Sequence, residues 1–162
     1  MPREDPKAAA RQARLLAKTN EVQGHAHMIL HGEERLRAGA MLKLADLSAD
    51  PAKQRGVVKD GGLQALVSCL RDDKHPDARR HAARAVRALA ARHARAIADI
   101  GAVAHVVGAF RSADAPTATH AAAALMNLAA DGGAIPAAIV KAGAAEALSC
   151  LLYTSPSPRD RG

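Results

Sequence analysis

Apolar residues in the middle of the chain recur every three or four positions, in segments that end at glycine or proline. Such spacing places them on one face of an amphipathic helix. The pattern is clearest in two segments, through Leu63, Leu66, Val67 and Leu70 in the first and Ala82, Val86, Leu89 and Ala90 in the second. The chain is therefore predicted to be all-α.

The same criteria predict a succession of helices with turns at defined places. Pro76 and Pro116 are expected to open helices, and Gly61, Gly101 and Gly143 to turn the backbone with positive φ. The segment 24–31 has the pattern of a short helix that follows Gly24. The predicted helices span 6–19, 24–31, 33–48, 52–59, 63–70, 76–92, 93–99, 102–111, 116–130 and 134–142, with one more after Gly143.

Two sequence blocks repeat with a period near forty. The glycines Gly61, Gly101 and Gly143 lie 40 and then 42 residues apart. The segments 81–91 and 120–130 share seven of eleven residues at an offset of 39. A period of this length, with several helical patterns in each unit, predicts a solenoid of stacked helices.

The repeated unit resembles the armadillo repeat over residues 33–148. The resemblance rests on three helices per unit and on a glycine before the second helix. It also rests on two strings, Ile139-Val140-Lys141-Ala142-Gly143-Ala144 and Ala124-Leu125-Met126-Asn127-Leu128-Ala129. It implies a right-handed α-solenoid of stacked three-helix armadillo repeats. HEAT-like helical repeats are the alternative, but the glycine and the short first helix argue against them.

In armadillo proteins the third helices line a concave groove, and importin-α-like members carry a Trp and an Asn on each of these helices. Asn127 matches the Asn position, whereas Ala123 stands where the Trp would be. The Trp/Asn ladder is therefore absent. The resemblance implies a partner-binding groove, and helical spacing adds basic residues to it. The predicted groove residues are Arg35, Lys43, Arg80, Arg84, Arg87 and Asn127. The alternative is a solvated helix face, with Arg80 paired to Asp77.

Composition narrows the candidate partners. The net charge is +7 and the pI about 10.0, which favours acidic partners, so protein segments that are acidic or extended are predicted. With one Phe, one Tyr and no Trp, stacking on single-stranded nucleic acid is disfavoured. The chain has two cysteines, no apolar leader and no unbroken membrane-spanning stretch. These features predict an intracellular protein of the cytoplasm, with the nucleus as a further compartment.

The chain is expected to divide into three parts. Residues 1–20 are predicted to form a basic helix or tail, and residues 149–162 a disordered tail. Residues 21–148 are predicted to form the armadillo-repeat domain of about three units, of which the first is degenerate and the last truncated. The string from Cys150 to Asp160 resembles a translated adapter, so a non-native tail is predicted, with a native linker as the alternative. The chain is interpreted as a fragment of a longer protein.

No catalytic motif emerges. His27 and His31 can share a helix face, but no third metal ligand is suitably spaced, so neither a metal nor a cofactor is predicted. Cys69 lies among apolar residues and is expected to be buried. The function predicted is that of a non-catalytic protein-interaction scaffold or adaptor. The alternatives are a nucleic-acid-binding α-solenoid and the armadillo part of a larger enzyme such as a ubiquitin ligase.

Overall fold

A computed structural model describes residues 6–7, 10–11, 20–72 and 74–154, with only the backbone for 150–154. These residues form helices and turns without any strand, so the all-α prediction is confirmed. Most of the predicted helix 6–19 lies outside the described residues. From residue 20 onward the helices are α1 (Glu21–His31), α2 (Glu34–Ala49), α3 (Gln54–Lys59), α4 (Gly62–Leu70), α5 (Pro76–Asp99), α6 (Val103–Phe110), α7 (Ala115–Ala130), α8 (Ile135–Lys141) and α9 (Ala144–Thr154).

The helices fall into repeating units of three. His93 has non-helical dihedrals (φ −127°, ψ 31°), which break α5 into the third helix of one unit and the first helix of the next. This break is the predicted boundary between 76–92 and 93–99. The first helices are thus α3, the end of α5 and α8; the second helices are α1, α4, α6 and α9; and the third helices are α2, the main part of α5 and α7.

The beginning of the repeat domain differs from the prediction. The segment 24–31 is not a short helix that starts after Gly24, because α1 begins at Glu21 and holds Gly24 inside it. The Asn20 side chain accepts a hydrogen bond from the backbone N–H of Gln23 at 2.9 Å and so caps the helix. Since α1 packs against both α2 and α4, it occupies the place of a second helix.

Two helical layers enclose the core. The third helices pack side by side in the order α2, α5, α7, and the second helices form the other layer. Leucine, isoleucine and valine side chains fill the space between the layers, and alanines let the helices approach closely. The largest fully buried side chains include Ile29, Met41, Leu44, Leu66, Leu70, Leu89, Ile97 and Leu128. Burial of each contributes about 1.5–3 kcal/mol, so the core holds successive units in register.

The glycine turns take the predicted conformation. Gly61, Gly101 and Gly143 have φ of 89°, 72° and 89°, each directly after a first helix. L-residues with a Cβ are strained at such angles. At the other end of the domain, α9 continues to Thr154, past the predicted limit of residue 148. Its apolar residues keep helical spacing through Leu152, which explains the extension. Residues 155–162 lie outside the described residues, and the division into three parts stays a prediction.

Candidate functional site

The exposed faces of the three third helices form one continuous area, which we call the third-helix surface. α5 lies between α2 and α7, so residues at equivalent positions of the three helices are neighbours. All six predicted groove residues lie on this surface. It consists of Arg35, Gly39, Leu42, Lys43 and Asp46 on α2, Arg80, Arg84, Arg87, Ala88 and Ala91 on α5, and Thr119, Ala123, Met126, Asn127 and Ala130 on α7, none of which is buried.

Arg80 is held by the next repeat. Its Nε donates to Oδ2 of Asp114 at 3.1 Å and its Nη2 to Oδ1 at 2.7 Å, while Asp77 lies farther away at 3.7 Å. Asp114 also caps α7, because its Oδ2 accepts from the backbone N–H of Thr117 at 3.0 Å and from the Thr117 hydroxyl at 2.6 Å. The hydrogen bond from Arg80, followed by that from Thr117, holds the pKa of Asp114 far below its usual value. The positive charge of Arg80 is thus largely compensated.

Arg84 reaches the previous repeat. Its Nη2 donates to Oδ1 of Asp46 on α2 at 2.8 Å. Its Nε is buried and meets no hydrogen-bond acceptor in the described part of the chain. His81 lies close by, and burial and then the charge of Arg84 lower the pKa of His81. The guanidinium of Arg84 is thus only partly satisfied by its protein partners.

Arg87 has a different environment, because no carboxylate of the described residues pairs with it. Its Nη1 donates to Nδ1 of His120 on α7 at 3.5 Å. Burial, then Arg87, then Arg84 lower the pKa of His120, which keeps the imidazole neutral and able to accept this bond near pH 7. The amide Nδ2 of Asn127 donates to the backbone carbonyl of Arg87 at 3.3 Å. Asn127 therefore links α7 to α5.

The two predicted groove residues on α2, Arg35 and Lys43, differ in their charge partners. The Nε of Arg35 donates to Oε2 of Glu33 at 2.6 Å, so a local carboxylate compensates its charge. Lys43 is exposed, and no carboxylate in the described ranges lies within ion-pair distance of its ammonium group. Lys43 and Arg87 are thus the groove cations whose charge is not neutralised within the described structure.

A cluster of charged side chains that was not predicted from the sequence joins the first two repeats. The Nη1 of Arg37 donates to Oδ2 of Asp72 at 2.8 Å, and the His75 ring bridges Asp72 and Glu34. Hydrogen bonds to Asp72 and then to Glu34 raise the pKa of His75. Burial opposes ionisation of Asp72, but hydrogen bonds from His75, the Lys74 N–H and Arg37 lower its pKa overall.

A sequence signal for this cluster exists. Arg37 pairs with Asp72 across 35 residues, and Arg80 with Asp114 across 34 residues. Each Asp precedes a proline that opens the following third helix. An Arg close to one repeat length before an Asp near such a proline therefore predicts a bond between repeats.

The remaining candidate chemistry is limited. The rings of His27 and His31 lie 5.1 Å apart, as their spacing predicted, but the described residues contain no group of three or more metal-ligating side chains. Cys69 is fully buried as expected, and burial is the main cause that raises its pKa to about 11. In the described segments no helix has the length and apolar character to cross a bilayer.

A separate cavity of about 680 Å³ lies between the end of α5, the start of α6 and α8. Its lining is mostly alanine and glycine, together with Val103 and Ile135. Arg95 and Asp131 at its edge pair with each other at 3.3 Å. Asp99 and Lys141 also line the cavity, so small apolar side chains and four charged ones share its surface.

Comparisons with known proteins agree with this architecture. No protein-family model and no curated protein matches the sequence. Among solved structures, one engineered protein matches with a TM-score of 0.75 at 29% identity over 86% of this chain and 57% of that chain. Computationally designed armadillo repeat proteins for modular peptide recognition match with a TM-score of 0.76 at 22% identity, over 90% of this chain and 63% of theirs.

A further match is a designed armadillo repeat protein in complex with the peptide (KR)4, with a TM-score of 0.74 at 18% identity over 93% of this chain and 69% of that chain. The chain spans 57%, 34% and 58% of the lengths of three matching engineered proteins. Together with the three-helix units and their glycine turns, these likenesses show that the chain has the armadillo-type fold, an all-α solenoid.

Proposed function

We propose that this chain is a non-catalytic interaction scaffold, part of a longer armadillo protein, that binds an extended acidic segment of a partner protein along the third-helix surface. The observation that carries this proposal is the charge pattern of that surface. Arg35, Arg80 and Arg84 each have a carboxylate partner, whereas Lys43 and Arg87 have none among the residues that the structure describes. Uncompensated cations on an exposed surface attract a negatively charged partner and accelerate its approach.

The width of the third-helix surface matches the length of a short extended peptide segment. Neighbouring packed helices lie about 8–10 Å apart, so the three third helices together span about 20 Å. An extended chain covers this distance with about six residues at roughly 3.3 Å each. Asn127 and the exposed Met126 at the α7 end add polar and apolar contacts to the same path. A designed armadillo protein with a peptide bound provides a precedent for peptide binding by this fold.

The test uses a fluorescent peptide of about eight residues that alternates Glu and Ala, with anisotropy as the readout. We expect binding that weakens between about 50 and 200 mM salt, since exposed charges are screened over about 8–10 Å. Lys43→Glu combined with Arg87→Glu should reduce affinity about tenfold, because each exposed ion pair contributes about 0.5–1 kcal/mol.

The matched control is Arg55→Glu combined with Lys59→Glu on α3, which changes net charge equally on an exposed helix away from the third-helix surface. An equal loss of affinity in both double variants would refute the proposed site, because it would reflect net charge alone. Tighter binding of an RNA of about eight nucleotides than of the Glu peptide, with the same dependence on Arg87, would favour the nucleic-acid alternative.

A further inference from the structure

The part of the third-helix surface between α5 and α7 is unusually poor in negative charge. α7 contains no charged residue between its caps Asp114 and Asp131. Ala123 lies near the middle of this helix, about 13 Å along the axis from Asp114 and about 12 Å from Asp131 at 1.5 Å per residue. These distances exceed the Debye length of about 8–10 Å at physiological salt. The middle of α7 therefore supplies no carboxylate to Arg87, whereas Arg84 has its carboxylate partner, Asp46, on α2.

Basic groups converge on this segment from both helices. Arg87 contacts His120 at 3.5 Å, and the charges of Arg87 and Arg84 both act on the His120 ring. Arg84 and Arg87 are three residues apart on one helix, where like charges repel. Asp46, on the far side of Arg84, supplies the carboxylate of this cluster. Two guanidinium groups and one carboxylate leave a net positive charge beside His120.

Small side chains form the floor between these groups. Ala88 and Ala91 on α5 and Ala123 on α7 are all at least partly exposed. Alanine side chains thus form the floor of this part of the surface.

We propose that this floor at Ala123, bounded by Arg84, Arg87 and His120, binds a phosphate monoester carried by the partner segment. We call it the Ala123 site. The inference rests on the proposed function and specifies its ligand. A phosphomonoester carries a charge of about −1.5 to −2 and three acceptor oxygens. The three oxygens can accept hydrogen bonds from the side chains of two arginines and a histidine. Guanidinium groups bind phosphate through parallel hydrogen bonds.

Other anions fit the Ala123 site less well. One carboxylate has two acceptor oxygens, which a single guanidinium already satisfies. A phosphodiester of nucleic acid carries a single charge and lacks the third terminal oxygen. A dianion, by contrast, also favours protonation of His120, which turns the ring into a further donor. The site should therefore prefer a phosphorylated side chain over Glu or Asp.

The first experiment asks whether the Ala123 site binds the anion itself. The probe is inorganic phosphate, compared with sodium chloride at equal ionic strength, and the readout is the NMR titration of the His120 ring, assigned with His120→Gln. We expect phosphate to raise the pKa of His120 by about half a unit or more. Arg87→Gln should abolish this rise, whereas Lys59→Gln, on α3, should leave it unchanged. The histidines of α1 serve as internal controls, and an equal response of all histidines, or none at His120, would overturn the site.

The second experiment identifies the source of the phosphate. Three peptides of about eight residues differ only at a central Ser, phosphoserine or Glu within an Ala background. We expect phosphoserine to bind about tenfold more tightly than Glu, and Arg87→Gln to remove this advantage. Equal affinities would overturn the preference for a phosphomonoester. An RNA oligonucleotide that competes more strongly than the phosphopeptide would overturn the partner segment as its source.

The two proposals fail in different ways. If phosphate leaves the pKa of His120 unchanged while the affinity for the acidic peptide still depends on Lys43, the Ala123 site is refuted and the scaffold function stands. If phosphate raises the pKa of His120 but neither acidic nor phosphorylated peptides bind, the partner-segment function is refuted.

Discussion

Arg80 on the third helix of one repeat holds Asp114, the cap of the next third helix, through two hydrogen bonds of 2.7 and 3.1 Å. Arg37 and Asp72 form the corresponding bond between the first two repeats at 2.8 Å. These pairs tie successive units together at the same end of their third helices. Arg80 is therefore foremost a structural residue, and reversal of its charge would disturb the solenoid as well as the candidate groove.

Removal of Asp114 should destabilise the fold more than removal of Arg80. Asp114→Ala loses the inter-repeat bonds and also the cap bonds to Thr117. Arg80→Ala loses the inter-repeat bonds and the longer, exposed contact with Asp77, but keeps the cap. Urea denaturation should rank the stabilities as wild type, Arg80→Ala and Asp114→Ala, in descending order. The double variant should lose less unfolding free energy than the two single variants lose together, because the two residues share one interaction. Asp99→Ala, an exposed residue outside this pair, is the control, and a loss as large there would contradict the assignment.

The His75 cluster should make stability depend on pH. The pKa of His75 is raised above 6.5, so its contribution is fully present below pH 6.5 and is lost as pH rises through the folded pKa. The pKa of Asp72 is lowered below 3.8, so its contribution is present above pH 3.8 and is lost as pH falls through the folded value. The stability difference between wild type and His75→Gln should thus be greatest between about pH 4 and 6.5.

Urea titrations at about pH 5.5 and about pH 9 measure this difference. We expect the two proteins to differ at the lower pH and to converge at the higher one. His31→Gln, an exposed histidine of α1, should show no such change. A difference for His75→Gln that grows toward alkaline pH would contradict the bridging role of its protonated ring.

Two glycine substitutions should have opposite effects. Gly101 has φ of 72° and an added Cβ would meet no atom within 4 Å, so Gly101→Ala should cost about 1–2 kcal/mol through backbone strain alone. Gly39 lies inside α2 with equally open space, so Gly39→Ala should stabilise by about 0.5–1 kcal/mol. Denaturation midpoints in urea check both. Stabilisation by alanine at position 101 would contradict the left-handed turn between the first and second helices.

Cys69 should resist thiol reagents in the folded protein. At a pKa of about 11, roughly 0.1% of the thiol ionises at pH 8, and the side chain is fully buried. In a Cys150→Ser background, the reaction with a chromogenic disulfide should be at least about a hundredfold slower than after denaturation in urea. A rapid reaction without denaturant would show that α4 opens readily or that Cys69 is accessible.

Most of the architecture could be predicted from the sequence, because the physics that creates it is local. The spacing of Leu63, Leu66 and Leu70 specifies a helix, and Gly101 specifies a turn that other residues disfavour. Pro116 marks a helix start, and the structure places it in the first turn of α7. The error at α1 arose where two local signals compete, since Gly24 suggests a turn but Asn20 supplies the cap.

The electrostatics of the third-helix surface could not be derived in the same way. Helical spacing identifies Asp77 as a partner of Arg80, yet the shorter bonds go to Asp114 in the next repeat. The partner of Arg84, Asp46, lies 38 residues earlier. Which cations remain uncompensated depends on how the repeats stack, so the distinction between Arg80 and Arg87 required the structure.

The most direct test of the proposed function is a map of where the acidic peptide binds. Backbone amide NMR shifts recorded on addition of the Glu-Ala peptide should change along the exposed faces of α2, α5 and α7, with the largest changes near Lys43 and Arg87. The amides of α3 and α8 should remain unchanged. Changes confined to the first and second helices, with α5 and α7 unaffected, would contradict a binding site on the third-helix surface.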